Sequence, residues 1–507
     1  MDIRQSFKSN IQEGYSFKGE SFLLGTAMLN GECISEAFVK IPLKTLNRHG
    51  LIAGATGTGK TKTLQVISEQ LSENGIPVLL MDIKGDMSGL AKPGEEKEII
   101  KERHARLGFN YTAKAMPVEL MTLSGEKGVR LRSTVTEFGP ILISKLLELN
   151  DTQGSVVSLV FKYCDDHDLP LIDLKDFKRI LQYAIQDGKE IVSREYGSVS
   201  PATVNTILRK IIELEQQGAE SFFGEPSFDV NDLLRKDKEG NGYISIIRLV
   251  DMQDKPKMFT TFMLSLLAEV YEKFPERGDP LKPELVIFID EAHLVFKNTS
   301  RVLIDQIETI IKLIRSKGVG IYFCTQNPTD VPDAVLSQLG LKVQHALRAF
   351  TAKDRKEIRQ TAENYPESEY YLTDEVLTSL GIGEALVTAL DEKGRPTPLA
   401  VTYMRAPMTR MDILGDEEQN EIVENSFLAD KYENTIDSES AYEMLSRKIE
   451  KARTQMQYEE KPREKPGRRQ KTTQPSTLET LAKNTMVRQV GRTLARELIR
   501  GLFGVLK

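Results

Sequence analysis

The chain has 507 residues, 40% of them hydrophobic and 28% charged, with a formal net charge of −6. That length exceeds one ordinary domain, and the balance is that of a soluble globular protein with enough apolar residues for a sizeable core. A net acidic chain excludes a globally basic nucleic-acid binder, so any contact with a phosphate backbone must come from a local patch.

The opening "MDIRQSFKSNIQEGYSF" has no charged-then-apolar leader pattern. No apolar run reaches the roughly 18 residues of a membrane span, so the expectation is a cytoplasmic protein. Cys33, Cys164 and Cys324 share no metal-ligand or CxxC spacing and read as reduced core thiols. Residues 1–47 read as a short β segment: "SFLLGTAMLNGECISEAFVKIPL" alternates and turns at Asn30-Gly31, a hairpin signal. From Gly50 the pattern is strand ("GLIAG"), glycine-rich turn, helix ("TKTLQVISEQLSENG") and strand ("IPVLLMDIKGD"), a βαβ unit with buried, parallel-type strands. Residues 48–90 are thus the first part of an α/β core. Residues 91–234 break this rhythm with apolar residues at helical spacing, as in "LKDFKRILQYAIQD" and "SPATVNTILRKIIELEQQG", and read as a helical insertion.

The α/β rhythm returns over 235–405 with "GYISIIRLV", "ELVIFIDEAH" and "VGIYFCTQNP" as strands and helices between them. Residues 406–475, acidic and then basic, read as a charged linker. In 476–507, Val490, Leu494, Leu498 and Leu502 alternate with Arg488, Arg492, Arg496 and Arg500. Two stripes offset by two residues lie on nearly opposite faces of a helix. Such an amphipathic helix can pack on its own chain or a second copy, on anionic lipid, or on a phosphate backbone.

"GATGTGKT", Gly54–Thr61, fits the spacing G-x-x-x-x-G-K-[ST] between a strand and a helix. Gly54, Ala55, Thr56, Gly57, Thr58 and Gly59 can turn backbone N–H groups inward around phosphate oxygens. The helix start adds a favourable dipole. Lys60 can reach the β- and γ-phosphates of ATP, and the Thr61 hydroxyl can hold Mg²⁺. Asp290 and Glu291 end the strand "LVIFIDEAH". There one carboxylate suits the Mg²⁺ shell and the other can polarise the attacking water, and a polar strand cap is the plainer alternative. Gln326 ends the next strand as a γ-phosphate sensor or a turn residue. Asp82 ends "LLMD" and faces the same crevice or a loop. Arg315 closes a helix, where it can complement the helix dipole or serve a neighbour's ATP site as an arginine finger. Arg48 and Arg348 are further candidates of that kind.

Taken together, "NRHGLIAGATGTGKT", "DIKGD", "VIFIDEAH", "IRSKGVGIYFCTQNP" and "VQHALRAFTAKD" resemble the HerA branch of the HerA/FtsK ATPases. More narrowly, the chain is similar to the bacterial YjgR-like, HerA-like ATPases, a likeness that runs from about Gly19 to Ala406. The resemblance implies a RecA-like P-loop NTPase core with a mainly parallel sheet. It also implies a homo-oligomeric ring, usually a hexamer, with ATP between subunits and DNA as the translocated partner. It places Lys60 and Thr61 in the phosphate turn, Asp290 and Glu291 as the Mg²⁺ and water carboxylates, Gln326 as sensor and Arg315 as trans finger. Asp82 and Arg48 match further active-site and interface positions. The family's barrel, which docks a partner nuclease, has at most a fragment in the residues before the core, so the resemblance does not extend to a nuclease partner. A ring that moves or remodels protein assemblies at a membrane, and a nucleotide-gated scaffold with slow hydrolysis, are the alternative functions.

Overall fold

The computed structural model describes residues 2–253, 255–297, 301–436 and 438–459. The chain divides into two compact units, 1–131 with 229–433, and 132–228 with the chain from 434 on. Among the described residues, no helix is long and apolar enough to cross a membrane. The expected amphipathic helix of 476–507 lies outside the described residues.

The first unit is built on a sheet of 12 strands. In chain order these are β1 Ser21–Leu29, β2 Glu32–Pro42, β3 Gly50–Ala53, β4 Val78–Asp82, β5 Val118–Thr122, β6 Val129–Arg130, β7 Ile244–Arg248, β8 Leu285–Ile289, β9 Val319–Thr325, β10 Leu341–Gln344, β11 Glu384–Thr388 and β12 Ala400–Met404. Their order across the sheet is β2-β1-β12-β11-β10-β3-β9-β8-β4-β7-β5-β6. From β10 to β6 every neighbouring pair is parallel. β11, β12, β1 and β2 extend the sheet antiparallel. "VLLMD", "LVIFI" and "VGIYFCT" are buried along their whole length, which is why they read as continuous apolar runs rather than alternating ones. The fold is the α/β class expected, with the mainly parallel sheet of RecA-like P-loop NTPases. The β1–β2 hairpin turns at Asn30 (φ 52°) and Gly31 (φ 81°).

Three expectations about segments need correction. The amino-terminal segment opens with a helix, α1 Ile3–Gly14, because Phe7 and Ile11 sit four residues apart and bury together. The sheet does not pause at residue 91. Helix α2 (Lys60–Glu73) and β4 are followed by α3 (Glu98–Leu107) and then by β5, which pairs in parallel with β7. That pairing joins residues far apart in sequence, which local periodicity does not register. The stretch 406–433 is no solvated linker: Met408, Thr409, Leu414, Leu428 and Tyr432 are buried in the first unit.

The second unit is helical. It holds α4 Val135–Leu146, α5 Asp151–Asp166, α6 Leu174–Ile185, α7 Lys189–Glu195, α8 Pro201–Gln216 and a helix at Ala441–Glu459. Capping boxes at Thr134/Glu137, Asn150/Gln153 and Asp173/Asp176 start three of these helices by satisfying their free N–H groups. Phe177, Ile180, Leu181 and Ala184 form the buried stripe of α6.

Candidate active site

Because β9 lies between β3 and β8, the carboxyl ends of three adjoining strands bring the phosphate turn, Gln326 and the Asp290-Glu291 pair to one edge of the sheet. The turn is held from below. Ala55 N–H donates to Ala346 O (2.8 Å), and Gly54 N–H donates to Thr325 O (3.3 Å). Gly57 (φ 77°) and Gly59 (φ 119°) occupy the left-handed region that side chains disfavour, and Gly59 is the residue on which α2 begins. Lys60 lies back along the turn and donates to Gly54 O (2.6 Å) and Ala55 O (3.2 Å). Burial and the nearby Lys84 hold its ammonium below the ordinary lysine range, against Glu291 and Asp290. Thr56 Oγ1 donates to Gln326 Oε1 at 3.4 Å, so the expected sensor touches the turn.

The acidic side is crowded. Burial, with the neighbouring Glu291 and Asp82, pushes Asp290 up to about 7, and Lys84 opposes this. Glu291 is buried and takes a left-handed backbone (φ 46°). Its carboxylate forms an ion pair with Lys84 Nζ and lies 3.0 Å from His293 Nδ1. Asp82 turns inward to its own loop, accepting from the N–H groups of Gly85 (2.7 Å), Asp86 (3.3 Å) and Met87 (3.1 Å). Burial and Asp86 push it up to about 6. The carboxylate that meets the Thr61 hydroxyl is Asp86, with Oγ1 donating to Oδ2 at 3.3 Å.

Lys84 and Asp86 are the residues that sequence reasoning missed. Both stand in the "DIKGD" stretch, directly after a strand that ends in the crevice, and that position was the available signal. Burial pulls Lys84 down, but Asp290, Glu291 and Asp86 outweigh it and hold its ammonium above the ordinary value. Thr61 presents a hydroxyl oxygen beside the Asp86 carboxylate, the hard oxygen donors that a divalent cation such as Mg²⁺ takes. Among the described residues no three acidic, histidine or cysteine side chains are arranged to hold a metal alone.

The three arginines separate. Arg348 follows β10, is exposed, and lies at the same edge as the turn. Arg48 and Arg315 precede β3 and β9 and so lie at the opposite edge. Arg315 pairs with Asp279 at 3.2 Å. The seven residues of β9 put about 20 Å of strand between Arg315 and Gln326.

Helix α2 is tied to the chain beyond β12. Glu69 accepts from the N–H groups of Met408 and Thr409, both at 2.9 Å, and from the Thr409 hydroxyl. Gln65 donates to Arg410 O (2.7 Å) and Lys62 to Met411 O. His345 spans the other side: its Nδ1–H donates to Glu384 O, which leaves Nε2 to accept from Thr63 Oγ1, both at 2.9 Å. Burial pushes Glu69 from 4.5 up to about 7, against its hydrogen bonds from Thr409 and Met408. Between these values the folded chain keeps a proton that the unfolded chain has released. The stability this group contributes is full below pH 4.5 and is lost as the pH rises through about 7, a change of about 3 kcal/mol. Urea midpoints of wild type and Glu69→Gln should therefore diverge between about pH 5 and about pH 7.5, the wild type losing more. Parallel curves would show that Glu69 titrates as an ordinary carboxylate.

The chain matches the family model described as Helicase HerA-like C-terminal over residues 28–507. It is 23% identical over 354 residues to the DNA double-strand break repair helicase HerA of Sulfolobus acidocaldarius, covering 70% of this chain and 64% of that one. With the helicase of the same name from Sulfurisphaera tokodaii it shares 24% identity over 386 residues, covering 72% and 67%. The chain thus matches just under two thirds of the length of the Sulfolobus relative. In fold it is similar to the bacterial conjugative coupling protein TrwBdeltaN70, with a TM-score of 0.51 and 15% identity over 80% of this chain and 94% of that one. A family model matched over nearly the whole chain, on a fold that carries the family's phosphate turn and acidic strand end, makes this chain a member of the HerA-like helicase C-terminal family.

Proposed function

We propose that this chain is an ATP-hydrolysing motor that works on DNA as a homo-oligomeric ring, with ATP sites completed between subunits. The observation that carries this reading is the division of its parts: turn, carboxylates and sensor on one sheet edge, Arg315 and Arg48 on the other. Lys60 and the turn hold the phosphates, Glu291 orients and polarises the attacking water, and Gln326 reports the γ-phosphate. Mg²⁺, held by Thr61 and Asp290, would neutralise charge developing on the β- and γ-oxygens. Arg315 of one copy then faces the site of the next. DNA as the substrate is supported by the relatives named repair helicases. ATP is supported by the plasmid coupling protein TrwB in complex with a non-hydrolysable ATP analogue, a neighbour at a TM-score of 0.50.

The test is the ATPase rate of the full chain with and without single- and double-stranded DNA, beside its particle mass. Several-fold stimulation by one form of DNA, on a particle of several chains, is the expected result. A monomer whose hydrolysis ignores both forms would overturn the motor reading.

A further inference from the structure

A cavity of about 460 Å³ opens beside the first turn of α2, where Gly59, Lys62 and Thr63 form part of its wall. The cavity therefore adjoins the phosphate turn at the start of α2. The opposite wall is fastened to the turn itself, since Gly383 N–H donates to Thr58 O at 3.0 Å. Within the cavity, Arg103 is fixed in plane. Its Nε donates to Met404 O (2.8 Å) and one terminal nitrogen donates to Gly383 O (2.5 Å). One face of the guanidinium lies on the Tyr403 ring, with Cζ 3.9 Å from the centroid. Gly383 (φ 73°) is required for this arrangement, because a Cβ there would stand 2.5 Å from the guanidinium.

The rim is open and carries two bare isoleucines beside the exposed Glu102 and Arg106. Ile99 is 72% exposed and Ile382 74%, and both line the cavity. Large apolar side chains left this bare have most to gain from a flat apolar partner.

We propose that this cavity takes the nucleoside of the bound nucleotide, with the base stacked on Arg103 between Ile99 and Ile382. The proposal rests on the nucleotide-site reading above and adds how the base is held. A guanidinium already stacked on tyrosine offers its second face to any aromatic ring, and every base has such a face. Three carbonyls of the lining already accept hydrogen bonds, Gly383 O and Met404 O from Arg103 and Met411 O from Lys62. Selection therefore follows stacking area. ATP and GTP bind alike, and UTP and CTP bind more weakly.

The experiment measures calorimetric affinity for ATP, GTP, UTP and inorganic tripolyphosphate with Mg²⁺, using the full chain. Arg103→Ala should weaken ATP and GTP roughly five- to a hundredfold, the size of one base-stacking contact, and leave tripolyphosphate unchanged. Arg103→Lys should not rescue, because an ammonium has no plane to stack. Ile382→Asp, at an exposed rim position, should give the same selective loss without touching the packing around Tyr403. Equal loss of ATP and tripolyphosphate in these variants, or no loss of either, would overturn the proposal. Wild type that binds tripolyphosphate as tightly as ATP would overturn the nucleoside pocket and leave the phosphate site standing. Wild type that binds neither would overturn the phosphate reading, and this proposal with it.

Discussion

Glu291→Gln is expected to keep nucleotide binding and to lose about 10²- to 10⁴-fold in turnover, the usual contribution of a positioned general base. The replacement conserves shape, which matters because Glu291 is buried on a left-handed backbone. It removes the charge proposed to polarise water and, with it, the ion pair to Lys84. Asp290, the proposed Mg²⁺ ligand, is untouched, so the nucleotide should still bind. Lys60→Ala is the contrast. Its ammonium has no substitute within the turn, and affinity itself should go. Fluorescent-nucleotide titration separates the two variants, and single-turnover hydrolysis measures the loss in the first. Wild-type turnover in Glu291→Gln would reduce that carboxylate to a partner of Lys84.

Arg315→Ala should cost more, roughly 10³- to 10⁵-fold, the range seen where an arginine finger is supplied from outside a nucleotide site. The expectation comes from its place at the edge of the sheet opposite the turn. In one chain, Arg315 meets Asp279 rather than any group of the phosphate site. Mixing Arg315→Ala chains with Lys60→Ala chains should restore interfaces in which an intact turn meets an intact arginine, and a steady-state assay on exchanged mixtures would show partial recovery. Mixtures that exchange subunits and stay inactive would assign Arg315 to its own helix end and to Asp279.

The parts of the site that were legible in the sequence are those whose chemistry is local. Three glycines and a lysine between strand and helix specify a phosphate turn, and two carboxylates at the end of an apolar run specify an acidic strand end. For Lys84 the sequence offered only its position after a crevice strand, not its partners. A lysine in a loop is ordinarily solvated, and only the fold brings Asp86, Asp290 and Glu291 around it. That Asp86 rather than Asp82 meets Thr61 was hidden for a similar reason. Which of two carboxylates closes the loop and which meets Thr61 depends on the backbone between them. The sheet beyond residue 91 and the packing of 406–433 were hidden because they rest on partners far away in sequence, β7 for β5 and Glu69 for Met408 and Thr409.

The split of one proposed site across two edges of a sheet has a consequence for inheritance. A chain that works only when its far edge faces another chain's turn does not fail alone. A copy lacking Arg315 would carry a sound turn and still silence its neighbour's, and a copy lacking Lys60 would lose its own and leave a finger with nothing to complete. In a cell making both normal and altered chains, each altered copy would silence one site, its own or its neighbour's, so the damage would track the share of altered chains while falling partly on normal ones. At high dilution even the normal protein would fall silent faster than its concentration falls.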